Sequence, residues 1–130
     1  MHKTLTRLLI TITGVVFSLP SLALSVGEIT LDSALGQPLS AQLSLSKLGG
    51  LETEQIVVRH AERSTYDKLN VEHPTVFQAI RFNVNITGDR GSIHLTTRDA
   101  VNEPYLRLLV HIRWPQGEML KEVTLLLDPT

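Results

Sequence analysis

Histidine is the residue type in this sequence that most readily suggests chemistry, because imidazole binds metal ions and exchanges protons near neutral pH. Five histidines occur in 130 residues, together with no cysteine. His60, His73, His94 and His111 lack the short, regular spacings with which one element presents several metal ligands. We therefore predict surface histidines and no metal site; a site assembled from neighbouring strands is the alternative.

Other catalytic patterns are missing or stand in the wrong context. No Gly-x-Ser-x-Gly nucleophile turn occurs, and composition excludes a cysteine nucleophile. Glu52 and Glu54 precede a predicted strand as ordinary loop residues, and Glu103 at a strand entrance suits a structural hydrogen bond better than acid–base work. The Gly-Asp-Arg-Gly loop at 88–91 lacks the helix that a phosphate-binding loop requires. We expect no enzyme, no catalytic residue and no cofactor.

Trp114 is the single tryptophan, and it stands at the end of an apolar strand face before Pro115-Gln116-Gly117. Proline and glycine at this spacing are typical of a tight turn. We interpret Trp114 as a packing anchor that fixes the hairpin. A hot spot for a binding partner is the alternative.

The first 23 residues have the three parts of a secretory signal peptide. Lys3 and Arg7 form the basic start, residues 8–19 are uncharged and mostly apolar, and Ser21-Leu22-Ala23 supplies the small residues before a cleavage site. The apolar run is shorter than the ~20 residues of a membrane-spanning helix. We predict cleavage after Ala23, export without a membrane anchor, and a single domain over residues 24–130.

Removing residues 1–23 lowers the net charge, because two basic residues leave with them. Ten basic and 13 acidic residues then remain, so the net charge is 10 − 13 = −3. No basic patch is left that would favour nucleic acid or an anionic membrane. Export without cysteine means that packing alone stabilises the domain, which is common in bacterial envelope proteins.

Short runs of alternating apolar and polar residues, separated by turn residues, dominate the remaining chain. Residues 64–70 lack this alternation and predict one or two helical turns. The connections are too short for parallel crossovers. We predict an all-β fold, an antiparallel immunoglobulin-like β-sandwich of about seven strands with one short helix; a small barrel is the alternative. The predicted strands cover 27–31, 39–46, 55–60, 79–87, 92–97, 106–114 and 120–127.

Three motifs occur together after the signal peptide: Gly27-Glu28-Ile29, Ser33-Ala34-Leu35-Gly36-Gln37-Pro38-Leu39, and a Trp114-Pro115-Gln116-Gly117 hairpin that ends in Leu126-Leu127-Asp128-Pro129. This combination resembles the N-terminal periplasmic domain of the FimV, HubP and TspA-like proteins. The resemblance spans the whole chain after the signal peptide. Because the matched residues coincide with predicted strands and turns, we expect them to be structural. They are Gly27, Glu28, Ile29, Gln37, Pro38, Glu103, Pro104, Trp114, Pro115, Gly117, Leu127, Asp128 and Pro129.

The resemblance implies a Gram-negative periplasmic protein that acts in type IV pilus assembly, twitching motility or cell-pole organisation. It implies envelope proteins, such as pilus-assembly components, as partners of a non-enzymatic interaction domain. The alternative is an exported pilus-chaperone-like or carrier domain that binds an extended peptide at a strand edge. Family members continue into a LysM module, a membrane helix and a cytoplasmic region. Contact with peptidoglycan is therefore expected only if a LysM module follows; a fragment and a stand-alone protein both remain open.

Overall fold

Seven strands and one short α-helix make up residues 24–72 and 79–129, the part of the chain that the computed structural model describes. The predicted signal peptide and His73 lie outside these residues. The strands are β1 (Ser25–Leu31), β2 (Pro38–Ser46), β3 (Val57–His60), β4 (Arg81–Thr87), β5 (Arg90–Ala100), β6 (Tyr105–Trp114) and β7 (Gly117–Leu126). The helix α1 covers Arg63–Lys68, and a 3-10 turn covers Thr53–Gln55.

The strands form two antiparallel sheets that pack face to face. The first sheet has the order β1-β2-β5-β4, and the second has the order β3-β6-β7. Two-residue alternation explains the arrangement, because each strand puts its apolar side chains on one face and must bury that face against another layer. The prediction of an antiparallel β-sandwich of about seven strands is confirmed.

The core lies between the sheets and is built from alternate residues of both. Ala41, Leu43, Ile93 and Leu95 of the first sheet are completely buried, as is Leu108 of the second. These positions belong to the apolar faces that the sequence predicts for β2, β5 and β6. Burying a leucine or isoleucine side chain contributes about 1.5–3 kcal/mol, so this alternation is the main source of stability.

Strand pairing extends further along β5 than the sequence predicts. β5 begins at Arg90 rather than residue 92, and Thr87 pairs directly with Arg90 across a two-residue loop. Gly88 in that loop has φ +66°, a conformation that glycine adopts at little cost. Because the turn is this tight, β4 and β5 are already paired at the residues that flank the two-residue loop.

The helix lies on the outer face of the second sheet. It begins at Arg63 with Glu62 as its N-cap residue, whereas the sequence predicts Ser64 as the cap. Tyr66 is completely buried in a small cluster with Ala61, Val71 and Leu109, whereas Leu69 is 52% exposed. The sequence predicts that Tyr66 and Leu69 fold together onto the sheet, and this is correct only for Tyr66.

Candidate interaction surface

Exposed apolar side chains are concentrated on one side of the sandwich. In the described part of the chain, all the exposed large apolar residues belong to the outer face of the second sheet or to the end of α1 that lies over it. This outer face of the second sheet is hereafter the apolar face. The exposed residues are Val57 (41%), Leu69 (52%), Tyr105 (52%), Leu120 (42%) and Leu126 (63%).

The opposite side of the sandwich differs in composition. The outward rows of the first sheet are mostly uncharged and polar, and they include Ser40, Gln42, Ser44, Asn83, Asn85, Ser92, His94 and Thr96. Such a surface interacts well with water. Since exposed apolar patches mark interaction sites more often than polar surfaces do, the apolar face is the better candidate for binding a partner.

Ion pairs cross the apolar face between β6 and β7. The Arg107 guanidinium donates hydrogen bonds to the Glu122 carboxylate, one of them from Nε at 3.1 Å. This hydrogen bond, and the attraction between the charges, raise the pKa of Arg107 above its ordinary value. Further along, Glu118 lies 3.5 Å from His111 and 3.7 Å from Arg113. All these groups are substantially exposed, so they contribute more to selecting a partner than to stability.

A shallow groove of about 310 Å³ separates α1 from β6 and β7 on this face. It combines apolar walls with the Arg107–Glu122 pair, the mixture that gives a binding groove both contact area and orientation. Its lining residues are Leu69, Val71, Arg107, Leu109, Leu120 and Glu122.

A buried hydroxyl holds one wall of this groove in place. Tyr66 Oη accepts a hydrogen bond from the Leu109 N–H at 2.8 Å and lies 3.4 Å from the Leu109 carbonyl oxygen. The Ala61 N–H donates to that same carbonyl at 2.8 Å, where the pairing of β3 with β6 ends. Burial raises the pKa of Tyr66, and the backbone hydrogen bond opposes the shift. The tyrosine thus continues the hydrogen bonding of the ladder beyond the last residues of β3.

A second cleft, of about 270 Å³, opens at the side of the sandwich between β1 and β7. The register of β1 against β2 shifts between Val26 and Ile29, so a bulge occurs at the cleft. Gly27, Glu28 and Ile29 form the wall from β1, and Lys121–Thr124 form the wall from β7. The completely buried Leu43 lies at its base.

The structure distributes the family-signature residues over three places. Gly27, Glu28 and Ile29 line the cleft, and Trp114, Pro115 and Gly117 lie at the β6–β7 turn. The others lie at the opposite end of the sandwich, where the Leu35 N–H donates to the Asp128 carbonyl and the Leu127 N–H donates to the Pro104 carbonyl. That third group comprises Gln37, Pro38, Glu103, Pro104, Leu127, Asp128 and Pro129.

Trp114 is 8% exposed and belongs to the main core. A Cβ atom at Gly117 would lie 3.5 Å from its ring, which shows how closely the turn folds over the indole. Trp114 therefore packs inside the hairpin end and presents little surface to a partner.

The three histidines within the described residues, His60, His94 and His111, do not converge on one site. His94 faces outward beside Ser40, with Nε2 3.2 Å from the hydroxyl oxygen, and His111 lies beside Glu118. The prediction of a surface position is wrong for His60, because both of its ring nitrogens are buried. Its ring packs edge-on against Phe82, with the two ring centroids 4.9 Å apart. His60 pairs with the inward-facing Val110, which sets this orientation. Within residues 24–72 and 79–129, no group of three or more potential ligands could hold a metal ion.

The apolar face, the Tyr66–Leu109 contact and the cleft are the features that sequence reasoning missed. One signal was available for the apolar face: Leu109 interrupts the polar row of β6, and Leu126 interrupts that of β7. No signal identified the cleft, because its two walls come from the first and last strands.

No helix in the described ranges is long and apolar enough to cross a membrane.

Comparison with known proteins identifies the family. The model of the FimV N-terminal domain, described as an Ig-like domain, matches residues 24–130. The chain belongs to this family. Two curated relatives, both named motility hub protein FimV, come from Pseudomonas aeruginosa strains PAO1 and UCBPP-PA14. Each is 36% identical over 107 residues, which are 82% of this chain and 12% of the relative.

This match confirms the resemblance inferred from the motifs. The chain spans only about an eighth of the length of these relatives, as the 12% coverage states. The remaining length of the relatives has no counterpart in these 130 residues.

A solved structure gives a weaker likeness. The BIgI domain of beta protein from S. agalactiae, solved bound to CEACAM1, is 14% identical and aligns with a TM-score of 0.38. The alignment covers 79% of this chain and 99% of that domain.

Proposed function

We propose that this chain is a periplasmic, non-enzymatic interaction domain that supports motility driven by type IV pili. The observation that carries the proposal is the 36% identity to motility hub proteins over residues that make up nearly the whole domain. The signal-peptide pattern of residues 1–23 supports the location. Partners in this proposal are envelope proteins of the pilus-assembly machine.

The apolar face is the surface that we assign to this interaction. Leu120 and Leu126 are exposed on it at 42% and 63%, and both are far enough from the core to be replaced without creating a cavity. An interface gains most from apolar side chains that are solvent-exposed in the free protein and buried in the complex. The ion pairs beside them then provide the polar rim and the orientation.

A chromosomal deletion tests the proposal directly. We expect an in-frame deletion of codons 24–130, in the bacterium that carries the gene, to shrink twitching zones and to reduce pilin sheared from the cell surface. Unchanged twitching and unchanged piliation would refute the proposal. An alkaline phosphatase fusion after residue 129 tests the location, since the enzyme is active only after export; an inactive fusion would refute a periplasmic domain.

Matched variants test the assignment of the surface. The double variant Leu120→Asp/Leu126→Asp places two charges on the apolar face, and we expect it to reproduce the deletion phenotype. The control Asn83→Asp/Asn85→Asp adds the same two charges to the polar face of the first sheet, where β4 is already solvated. Equal motility of both variants, at equal protein levels and melting temperatures, would exclude the apolar face.

A further inference from the structure

Within the described residues the two sheets have four edge strands, and the open edge of β7 differs from the other three edges. β3 has four residues and β1 contains a bulge, and both features discourage pairing with another strand. β4 has seven residues, and its outward side chains are polar and offer little apolar contact to an added strand. β7 is ten residues long and contains no proline. Its register against β6 runs from Tyr105↔Leu126 to Trp114↔Gly117 without a shift. β7 is therefore the edge best suited to accept an additional strand.

Hydrogen bonding to β6 fixes which backbone groups of β7 face outward. The Leu127 N–H donates to the Pro104 carbonyl at 2.8 Å, so residues 104 and 127 form a hydrogen-bonded pair. Such pairs alternate along an antiparallel ladder, and here they involve the odd-numbered residues of β7. The N–H and C=O groups of the even-numbered residues thus point to the open side. These residues are Glu118, Leu120, Glu122, Thr124 and Leu126.

The cleft between β1 and β7 provides space for the other face of an added strand. Side chains of a strand paired with β7 alternate between the apolar face and the interior side of the sheet. On the interior side they meet the 270 Å³ cleft, whose walls include Ile29 and Val123. The bulge of β1 lies at this entrance.

The charges on the outward row of β7 distinguish between the strands that could pair with its edge. The outward row of β7 contains two carboxylates, Glu118 and Glu122, and no basic residue. Each glutamate contacts an arginine of β6 and remains partly exposed. A second copy of this chain, paired through β7, would add two more carboxylates to this row and no basic side chain. Glu118 is 62% exposed and keeps most of its surface available beside its contacts with His111 and Arg113. A strand with basic residues opposite the two glutamates is complementary to this row.

We propose that β7 binds an extended peptide strand of a partner protein, antiparallel to it, with basic side chains opposite Glu118 and Glu122 and apolar side chains opposite Leu120 and Leu126. The intervening residues of that strand are small and apolar and enter the cleft. This inference rests on the proposed interaction function and specifies how the partner is held.

A synthetic peptide tests the pairing on the exported chain itself. The capped peptide Leu-Val-Thr-Val-Lys-Val-Leu-Val-Lys places its first leucine opposite Leu126 and its last lysine opposite Glu118. We expect binding in calorimetric titration, with slower amide hydrogen exchange at Leu120, Glu122 and Thr124 and little change at Val123, which already donates to β6. No binding at saturating peptide, or protection elsewhere only, would overturn the proposal.

Backbone methylation supplies a matched control that leaves the protein unchanged. N-methylation of the central lysine removes an N–H that faces β7, and we expect about tenfold weaker binding. N-methylation of the neighbouring valine removes an N–H that faces away, and binding should change by less than about twofold by the same reasoning. Glutamate in place of both lysines should weaken binding roughly fivefold at low salt. Equal affinity of the two methylated peptides would overturn strand pairing.

A variant of β7 separates this inference from the proposed function in cells. Thr124→Pro removes an outward N–H and no bond to β6, so proline is tolerated there as at other sheet edges; Thr124→Val is the control. If deletion abolishes twitching and both variants twitch normally, the proposed function stands and strand pairing is refuted. If deletion has no effect while the peptide still binds, the proposed function fails and the binding site stands.

Discussion

Tyr66→Phe removes one buried oxygen atom from the contact between α1 and β6. The aromatic ring keeps its place, so no large cavity forms, but the Leu109 N–H loses the acceptor that lies 2.8 Å away. Tyr66 is completely buried and Leu109 is 2% exposed, so the environment offers little water as a substitute. A buried donor left without a partner costs about 1–3 kcal/mol. We expect the free energy of unfolding to fall by that amount.

Urea unfolding, followed by the fluorescence of the buried Trp114, measures this loss. In thermal unfolding the same change corresponds to roughly 4–8 °C per kcal/mol for a domain of this size. Tyr105→Phe is the matched control, since it deletes the same atom from a side chain that is 52% exposed. We expect the control to change stability by less than about 0.5 kcal/mol. Equal effects of the two substitutions would show that the Tyr66 hydroxyl does not complete the β6 ladder.

The same hydroxyl makes stability depend on alkaline pH. Because burial raises the pKa of Tyr66 in the folded state, the unfolded state releases this proton first as the pH rises. The contribution of the neutral side chain is therefore fully present below pH 10.0, the ordinary tyrosine value, and is lost as the pH rises towards the folded-state pKa. We expect wild type to lose more stability than Tyr66→Phe above that pH. Parallel curves would contradict the burial argument.

Two further pairs of substitutions test packing. Leu108→Ala, at a completely buried position, should cost about 2–5 kcal/mol, whereas Leu126→Ala, at 63% exposure, should change stability by less than about 0.5 kcal/mol; similar midpoints in urea would refute the assigned core. Gly91→Ala should lower the melting temperature more than Gly27→Ala. The new Cβ atom at residue 91 would lie 2.6 Å from the Asn85 carbonyl oxygen, which is part of the β4 backbone and cannot rotate away. The new Cβ atom at residue 27 would lie 2.2 Å from the Ser44 hydroxyl oxygen, which can rotate away. A reversed order of melting temperatures would show that the β4 backbone yields.

The fold class could be predicted from the sequence because alternation is a local property. In β2, leucine and alanine alternate with serine and glutamine, and this pattern alone specifies which face is buried. Turn chemistry at Gly88 and at Pro115 separated the strands for the same reason. The helix begins earlier than a Ser64 cap would place it, because Glu62 occupies the N-cap position without a side-chain hydrogen bond. Local preferences do not resolve a boundary between such near neighbours.

The side-chain contacts at the candidate interaction surface, unlike the fold class, could not be predicted from the sequence. The orientation of His60 was set by its pairing with Val110, and the role of Tyr66 by the point where β3 ends. Neither contact is visible to local patterns, because each joins residues more than 40 positions apart.

The sequence by itself determined an export signal pattern, an antiparallel sandwich and the membership of a family, since these depend on composition, period and short motifs. Only the tertiary structure decided which strand edge and which cleft are available for the proposed partner. It placed Gly27-Glu28-Ile29, which the sequence presented as a structural signature, across a cleft from the last strand, and it left β7 with a regular open edge. Edges and clefts arise from which strands become neighbours, and that outcome depends on the packing of the whole chain.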